Sequence, residues 1–147
     1  MRMDRPFEQY VVGETFQTQG RTVTEADIIH FAGVSGDFFP LHVDAQYAKT
    51  TRFGERIAHG MLTLSLATGL YELSPDYVIA FYGLDHVRFI KPVKIGDTIY
   101  LKGEVIELKD RGETGLISFR QHVMCGDEIV SSAIIHMLVS KEKAAKQ

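Results

Sequence analysis

The chain has 147 residues, of which 45% are hydrophobic and 24% are charged, a balance typical of one globular domain spanning residues 1–147. A net charge of −3 and an isoelectric point near 6.0 exclude the basic footprint of a nucleic-acid-binding protein, but they allow a local patch for an anionic ligand. The single Cys125 excludes an internal disulfide, and the most apolar stretch, residues 60–73, is too short and too polar to span a bilayer. We therefore expect a cytoplasmic protein with no membrane contact.

The first half of the chain is predicted to be mainly helical. The predicted elements are a strand near residues 15–22, a helix that follows the N-cap Thr24, a short helix over residues 44–50 and a long helix from about residue 58 to residue 73. Acidic side chains in the first turn after Thr24 suit the helix dipole. Gly33, Gly36 and Pro40 are expected to end this first helix, so that a loop follows it. Pro75 is expected to end the long helix.

The second half of the chain is predicted to be rich in strands. β-Branched and aromatic residues are concentrated in four segments, residues 78–89, 98–108, 115–124 and 128–139. Helices followed by antiparallel strands predict the α+β class, with an antiparallel sheet wrapped around the long central helix. Such a sheet leaves one edge free to pair with a second subunit. The last residues, from about 141, form a polar tail that we expect to fray.

A carboxylate and an imidazole lie close together in the loop from Ser35 to His42. Asp37 and His42 are five residues apart and separated by Pro40, so a loop can turn both side chains toward one point. A carboxylate can hold or deprotonate a water, and an imidazole gains and loses protons near neutral pH. We interpret the two residues as a candidate acid–base pair. The alternatives are a turn or capping role for Asp37 and a structural role for His42.

A second candidate lies at the start of the long helix, in the segment Ala58-His59-Gly60-Met61. The first N–H groups of a helix have no internal partner, and the helix dipole attracts negative charge to that end. Since Gly60 has no side chain, a ligand could closely approach its N–H. The alternative is that Gly60 only allows tight packing of the helix. We expect His59 to pack or to form a local hydrogen bond, and no histidine spacing in the chain predicts a metal site.

Three segments occur in a fixed order: Gly36-Asp37-x-x-Pro40-x-His42, Ala58-His59-Gly60-Met61 and Phe89-x-x-Pro92-Val93-x-x-Gly96-Asp97. In order and spacing they resemble the MaoC-like (R)-specific enoyl-CoA hydratase/dehydratase family, over residues 16–139. The resemblance implies a hotdog fold and a homodimer, or an oligomer of dimers, with sites near the subunit interface. It also implies an acyl-CoA substrate and no further cofactor.

The resemblance assigns roles position by position. Asp37 and His42 become the catalytic pair, and the backbone N–H of Gly60 would hold the thioester carbonyl. Thr68 stands where some relatives have a serine that supports the site through hydrogen bonding. Phe39 departs from the pattern, since many relatives have Asn there. Its ring could shape the acyl pocket or pack under the loop.

The activity that the resemblance implies is reversible addition of water to a trans-2-enoyl-CoA, which gives a (3R)-hydroxyacyl-CoA. A hotdog thioesterase and a non-catalytic acyl-CoA-binding module are the alternatives. The imidazole beside Asp37 favours hydration, because thioester hydrolysis needs no acid directed at carbon. Six basic side chains lie near the proposed site in sequence and could contact CoA phosphates: Lys49, Arg52, Arg56, Arg88, Lys91 and Lys94.

Overall fold

The computed structural model describes residues 1–142 of the chain. The helices are α1 (Glu25–Ser35), α2 (Pro40–Val43), α3 (Ala45–Thr50) and α4 (Gly60–Thr68), and a 3-10 helix lies at Phe7–Gln9. The strands are β1 (Arg2–Met3), β2 (Thr15–Gln17), β3 (Arg21–Thr22), β4 (Glu72–Leu73), β5 (Val78–Phe89), β6 (Thr98–Asp110), β7 (Thr114–Cys125) and β8 (Glu128–Ser140). None of these helices has the length and apolarity that a bilayer crossing requires.

One antiparallel sheet holds most of the strand residues. Its strands follow the order β2, β6, β7, β8, β5, and β3 pairs with β6 beside β2. Gly112 and Gly126 have φ angles of 80° and 56° in the hairpins that join β6 to β7 and β7 to β8, a backbone conformation that glycine adopts without strain. β1 and β4 form a separate parallel pair. This arrangement confirms the predicted α+β class and its antiparallel sheet.

The hydrophobic core lies against one face of the sheet. Alternate side chains of the long strands are buried there, as a period of two residues requires, and they include Val105, Ile117, Phe119, Ile135 and Met137. Leu62 and Ala67 of α4 belong to the same cluster. Burial of each large apolar side chain contributes roughly 1.5–3 kcal/mol, so the packed sheet firmly holds the helix that it contacts.

The central helix is shorter than the predicted range of residues 58–73. The Gly69 N–H bonds to the Leu66 carbonyl at 3.1 Å, a tight turn that closes α4. Residues of β4 then leave the helix to pair with β1, and the Glu72 N–H donates to the Met1 carbonyl at 2.9 Å. The predicted start lies within two residues of the observed one, but the predicted end was wrong, since α4 ends at Thr68 and not at Leu73. Apolar periodicity cannot reveal a pairing with the first residues of the chain.

Other element boundaries also differ from the predicted ones. α1 continues through Gly33 to its last residue before Gly36, whose left-handed φ of 77° ends it. The strand predicted over residues 15–22 is divided into β2 and β3, both paired with β6. α2 occupies part of the predicted loop, because Pro40 fits the first position of a helix.

The predicted polar tail lies mostly outside the described residues. Its first two residues are held in the structure, since Lys141 bonds to Asp110 and the Glu142 N–H donates to the Glu8 carboxylate at 3.0 Å. Residues 143–147 lie outside the described range, and fraying there stays a prediction.

Candidate active site

Asp37 lies in the turn that ends α1. The Ser35 hydroxyl donates to the Phe31 carbonyl at 2.7 Å and accepts the Asp37 N–H at 3.1 Å. The Asp37 carboxylate accepts the Phe39 N–H at Oδ1, at 3.2 Å. Asp37 therefore has the turn role that is common for its residue type, yet its side chain is exposed and Oδ2 accepts no hydrogen bond from the described residues.

His42 is held by the one-turn helix α2. Its Nδ1 lies 2.8 Å from the carbonyl oxygen of Ile57, just before α4. Because a carbonyl can only accept, Nδ1 carries the proton of the neutral ring and Nε2 has the free lone pair. Nε2 is therefore the nitrogen at which His42 can take up a proton.

His59 brings the two segments together. It is only 3% exposed, and its ring stacks on His42 with centroids 3.8 Å apart and planes at 27°. Its Nε2 lies 3.0 Å from the backbone carbonyl of Asp37, which makes Nε2 the donor. We expected His59 to pack or to bond locally. It does pack, but its hydrogen bond reaches a residue 22 positions away.

The structure brings Asp37, His42 and His59 into one cluster, with one ligand-type atom of each residue within 4.8 Å of the others. Such a set could be a metal site, since carboxylate and imidazole both bind transition metals. The same residue types can also transfer protons, and the absence of a metal stays a prediction.

Gly60 is the first residue of α4, next to His59. A Cβ at this position would lie 2.8–2.9 Å from ring atoms of Phe89, closer than real contacts allow. The close packing that we considered as the alternative is therefore present. The N–H of a residue in this first turn has no partner within the helix. Its binding to a thioester carbonyl stays a prediction.

Thr68 lies at the other end of α4 from Gly60, about 12 Å away at 1.5 Å per residue. Its side chain is exposed, and its hydroxyl donates to the Ser65 carbonyl at 2.7 Å, within the helix. Within one chain the structure therefore does not bring Thr68 to the Asp37–His42 pair. Its supporting role stays a prediction.

Phe39 packs beside the pair instead of forming a side-chain hydrogen bond. Its ring is half exposed and lies edge-on to His42, with centroids 6.0 Å apart, and to Tyr47, at 6.2 Å. An Asn at this position could orient a neighbour by hydrogen bonding, whereas the phenyl ring can only cover it. The apolar ring thus shields one side of His42.

A cavity of about 240 Å³ borders Gly60. Its walls are mainly apolar, and the basic side chains Arg52 and Lys91 also line it.

Most of the basic side chains near the cavity are already paired with carboxylates. Lys91 is paired with Glu128, as Arg56 is with Glu25 and Lys94 with Glu55. The Arg52 guanidinium instead lies over the Phe53 ring, 5.1 Å from its centroid, with no carboxylate partner among the described residues. Of the six basic side chains named from sequence, Arg52 is thus the best placed to meet an anionic ligand.

A second polar cluster, which sequence did not predict, lies on the sheet. The Ser118 hydroxyl and His136 Nδ1 are 2.8 Å apart, and His136 Nε2 is 2.9 Å from an Asp85 carboxylate oxygen. The residue types match those of a serine hydrolase, but Ser118 is only 1% exposed. A nucleophile must reach its substrate. We therefore interpret this cluster as a link between β5, β7 and β8.

Comparison with known proteins identifies the family. The family model described as MaoC like domain matches residues 7–124. Protein MaoC of Klebsiella aerogenes is 46% identical over 97 residues, which are 65% of this chain and only 29% of that protein. The 3-hydroxybutyryl-CoA dehydratase of Methylorubrum extorquens is 32% identical over 139 residues, covering 95% of this chain and 87% of that enzyme. The chain belongs to the MaoC-like dehydratase family.

Solved structures agree with this assignment. The monoamine oxidase regulatory protein from Archaeoglobus fulgidus is 40% identical, with a TM-score of 0.86 and coverage of 97% of this chain and 98% of that one. A Mycobacterium tuberculosis protein described as a double hotdog fold has a TM-score of 0.84 at 22% identity, over 97% of this chain and 46% of that one. The chain has the hotdog fold that its sequence motifs predicted.

Proposed function

We propose that the protein is a hydro-lyase that reversibly adds water to the double bond of a trans-2-enoyl-CoA and forms a (3R)-hydroxyacyl-CoA. The observation that carries this proposal is the convergence of the exposed Asp37 carboxylate with the His42 imidazole, whose Nε2 is free. Family membership and the dehydratase relative support the reaction class.

In the proposed mechanism, Asp37 and His42 hold one water between them. The pair removes a proton from this water as its oxygen bonds to C3, and a proton is returned to C2, so neither residue is consumed. Because both groups lie on one side of the substrate, hydroxyl and hydrogen add to the same face. Dehydration of the hydroxyacyl thioester uses the same groups in reverse.

Negative charge develops on the thioester oxygen as water adds to C3. The N–H of Gly60, at the positive end of the α4 dipole, is proposed to stabilise this oxygen. The cavity that Gly60 borders is mainly apolar, and Arg52 adds a positive charge to its wall. A CoA thioester combines an apolar acyl part with anionic phosphates, which fits this lining.

Mixing the protein with crotonyl-CoA tests the reaction. A hydratase removes the absorbance of the conjugated enoyl thioester without releasing free thiol. Free thiol would instead identify a thioesterase, and saturable binding with neither signal would identify a binding module. Either result would refute the proposal.

The roles of Asp37 and His42 are tested by substitution. Asp37→Asn and His42→Ala should each lower turnover by roughly 10²–10⁴-fold, because each removes a positioned proton-transfer group. Asp127→Asn and His30→Ala, at exposed positions outside the cluster, are the matched controls and should keep full activity. Wild-type turnover in both cluster variants would remove the pair from the mechanism.

We also propose that two copies of the chain assemble through β5. This strand lies at the sheet edge, and several of its large apolar side chains are exposed: Ile79, Phe81, Tyr82, Leu84 and Phe89. A protein described as a double hotdog fold contains, within one chain, about twice the length matched here. A second copy of this chain would provide the equivalent partner and cover the apolar edge.

A further inference from the structure

We propose that His59 is a positioning residue that fixes both members of the Asp37–His42 pair relative to the start of α4. This inference rests on the proposed hydratase function for its kinetic consequence, but not for its structural one. His59 would not contact substrate. It would act through three separate connections made by one buried side chain and its own backbone.

The first connection is to the backbone of Asp37. His59 Nε2 donates to the Asp37 carbonyl at 3.0 Å, while the Asp37 N–H is bound by the Ser35 hydroxyl at 3.1 Å. The peptide groups on both sides of the Asp37 Cα are therefore tied to fixed neighbours. His59, which is only 3% exposed, thus helps to fix the position of the exposed Asp37 carboxylate.

The second connection is to the ring of His42. The Ile57 carbonyl holds the edge of that ring at Nδ1, and the stacked His59 ring covers one of its faces at 3.8 Å. Phe31 of α1 also lies against His59, with ring centroids 4.9 Å apart. An edge contact and a face contact together restrict both rotation and tilt of the His42 ring, so Nε2 keeps one direction.

The third connection is through the His59 backbone, which is the N-cap of α4. Its carbonyl accepts the Thr63 N–H at 3.0 Å and the Thr63 hydroxyl at 3.3 Å. These bonds set the position of the first turn, in which Gly60 carries the N–H proposed to bind the thioester oxygen. One residue therefore links the two proton-transfer groups to that N–H.

Histidine suits position 59 because its side chain is both a hydrogen-bond donor and a flat ring. The Asp37 carbonyl needs a donor, and His42 needs a flat ring against its face. Nε2 of His59 donates to that carbonyl, while its Nδ1 is buried and has no hydrogen-bond partner among the described residues. A neutral imidazole supplies both contacts at once, whereas glutamine keeps only the donor and phenylalanine keeps only the ring.

Two variants separate the contacts. His59→Phe keeps the stacked ring and removes the donor to Asp37, and His59→Gln keeps an amide donor and removes the stack. We expect each to lower kcat with crotonyl-CoA by roughly 10–100-fold with KM changed less than about threefold, because small misplacements of reacting groups are costly. His30→Phe and His30→Gln, at an exposed position of α1, are the matched controls and should leave kcat unchanged.

Nitrogen-15 NMR of the imidazole rings gives a readout that does not depend on turnover. In the wild type we expect a proton on Nδ1 of His42 and on Nε2 of His59, and both variants should shift the His42 ring signals. Folded variants with unchanged His42 signals and wild-type kcat would overturn the proposal. If the wild type has no hydratase activity, the NMR result alone decides the role of His59. If one variant fails to fold, the other is judged by the same criteria.

Discussion

At the scale of single residues, two backbone carbonyls decide which ring nitrogen of each stacked histidine carries the proton. Ile57 accepts from Nδ1 of His42, and Asp37 accepts from Nε2 of His59, so the two neutral rings are opposite tautomers. His42 is left with a single basic nitrogen. In the proposed reaction, the proton must therefore enter and leave His42 at Nε2.

Replacement of Gly60 tests how tightly the start of α4 is packed. Gly60→Ala would place a Cβ within 2.9 Å of the Phe89 ring, which must then move. We expect the free energy of unfolding in urea to fall by about 1–3 kcal/mol, the usual cost of overpacking. In a Phe89→Ala background the same substitution should cost much less, because the obstructing ring is gone.

The matched control is Gly33→Ala in the interior of α1, where a Cβ would have no atom within 4 Å. This change should be neutral or stabilise by about 0.5–1 kcal/mol, since alanine favours helix over glycine. An equal cost for Gly60→Ala with and without the Phe89 ring would contradict the packing explanation.

The sequence was sufficient to name the site residues whose chemistry is evident from their type and motif. It did not predict the contacts of residues that act through their position in the fold. Asp37 and His42 do come together. Thr68 does not join them within one chain, since it lies at the opposite end of α4, eight positions after Gly60. The position of His59 next to Gly60 was the only signal for its contacts. Its stack on His42 depends on the path of the loop, which local preferences do not specify.

At the scale of secondary structure, the N-terminus of α1 is held by a reciprocal capping box. The Thr24 hydroxyl accepts the Asp27 N–H at 3.3 Å, and the Asp27 carboxylate accepts the Thr24 N–H at 2.9 Å. Partial burial works against the charge on Asp27, but the bonds from Thr24 and the nearby Arg21 guanidinium outweigh it and hold the pKa of Asp27 below its usual value. The charged carboxylate therefore stabilises the folded chain.

We expect Asp27→Asn to lower the free energy of unfolding at pH 7 by about 1 kcal/mol, a typical value for a lost cap. A carboxyl with a lower pKa in the folded state stabilises above its unfolded pKa of about 3.9. The stabilisation is lost as the pH falls through the folded pKa. Urea unfolding at pH 7 and at successively lower pH should therefore show the wild type and the variant converging below about pH 4.

Asp127→Asn in the turn between β7 and β8 is the control and should change stability little at either pH. A difference between wild type and Asp27→Asn that stays constant down to acidic pH would show that the charge of Asp27 does not stabilise α1.

The elements that were predicted well are those with local causes. Thr24 begins α1 because its side chain caps the next turn, and the β7–β8 hairpin forms where Gly126 allows a positive φ. The predicted end of α4 was wrong because its cause is a long-range contact and not a local one. Glu72 and Leu73 are both good helix formers, but the parallel pairing with β1 gives them a different partner.

At the scale of the whole molecule, the exposed apolar edge at β5 leads to a test of assembly. Leu84→Lys in the middle of this strand should weaken self-association by roughly tenfold or more in analytical ultracentrifugation, because two-fold symmetry would place two like charges near each other. Val34→Lys changes a side chain on α1 that is 90% exposed and should leave association unchanged. A wild-type monomer at high concentration, or equal dimerisation of both folded variants, would contradict assembly through β5.

The strand order also has a consequence for when the site can form. β6, β7 and β8 follow one another through short turns and pair with their neighbours in sequence, so they can assemble as soon as they are synthesised. β5 precedes all three but, among the described strands of the main sheet, pairs with β8 alone. Phe89, whose ring packs on Gly60, is the last residue of β5. The Phe89 ring can therefore take its fixed place against Gly60, at the start of α4, only after β8 has been synthesised and has paired with β5.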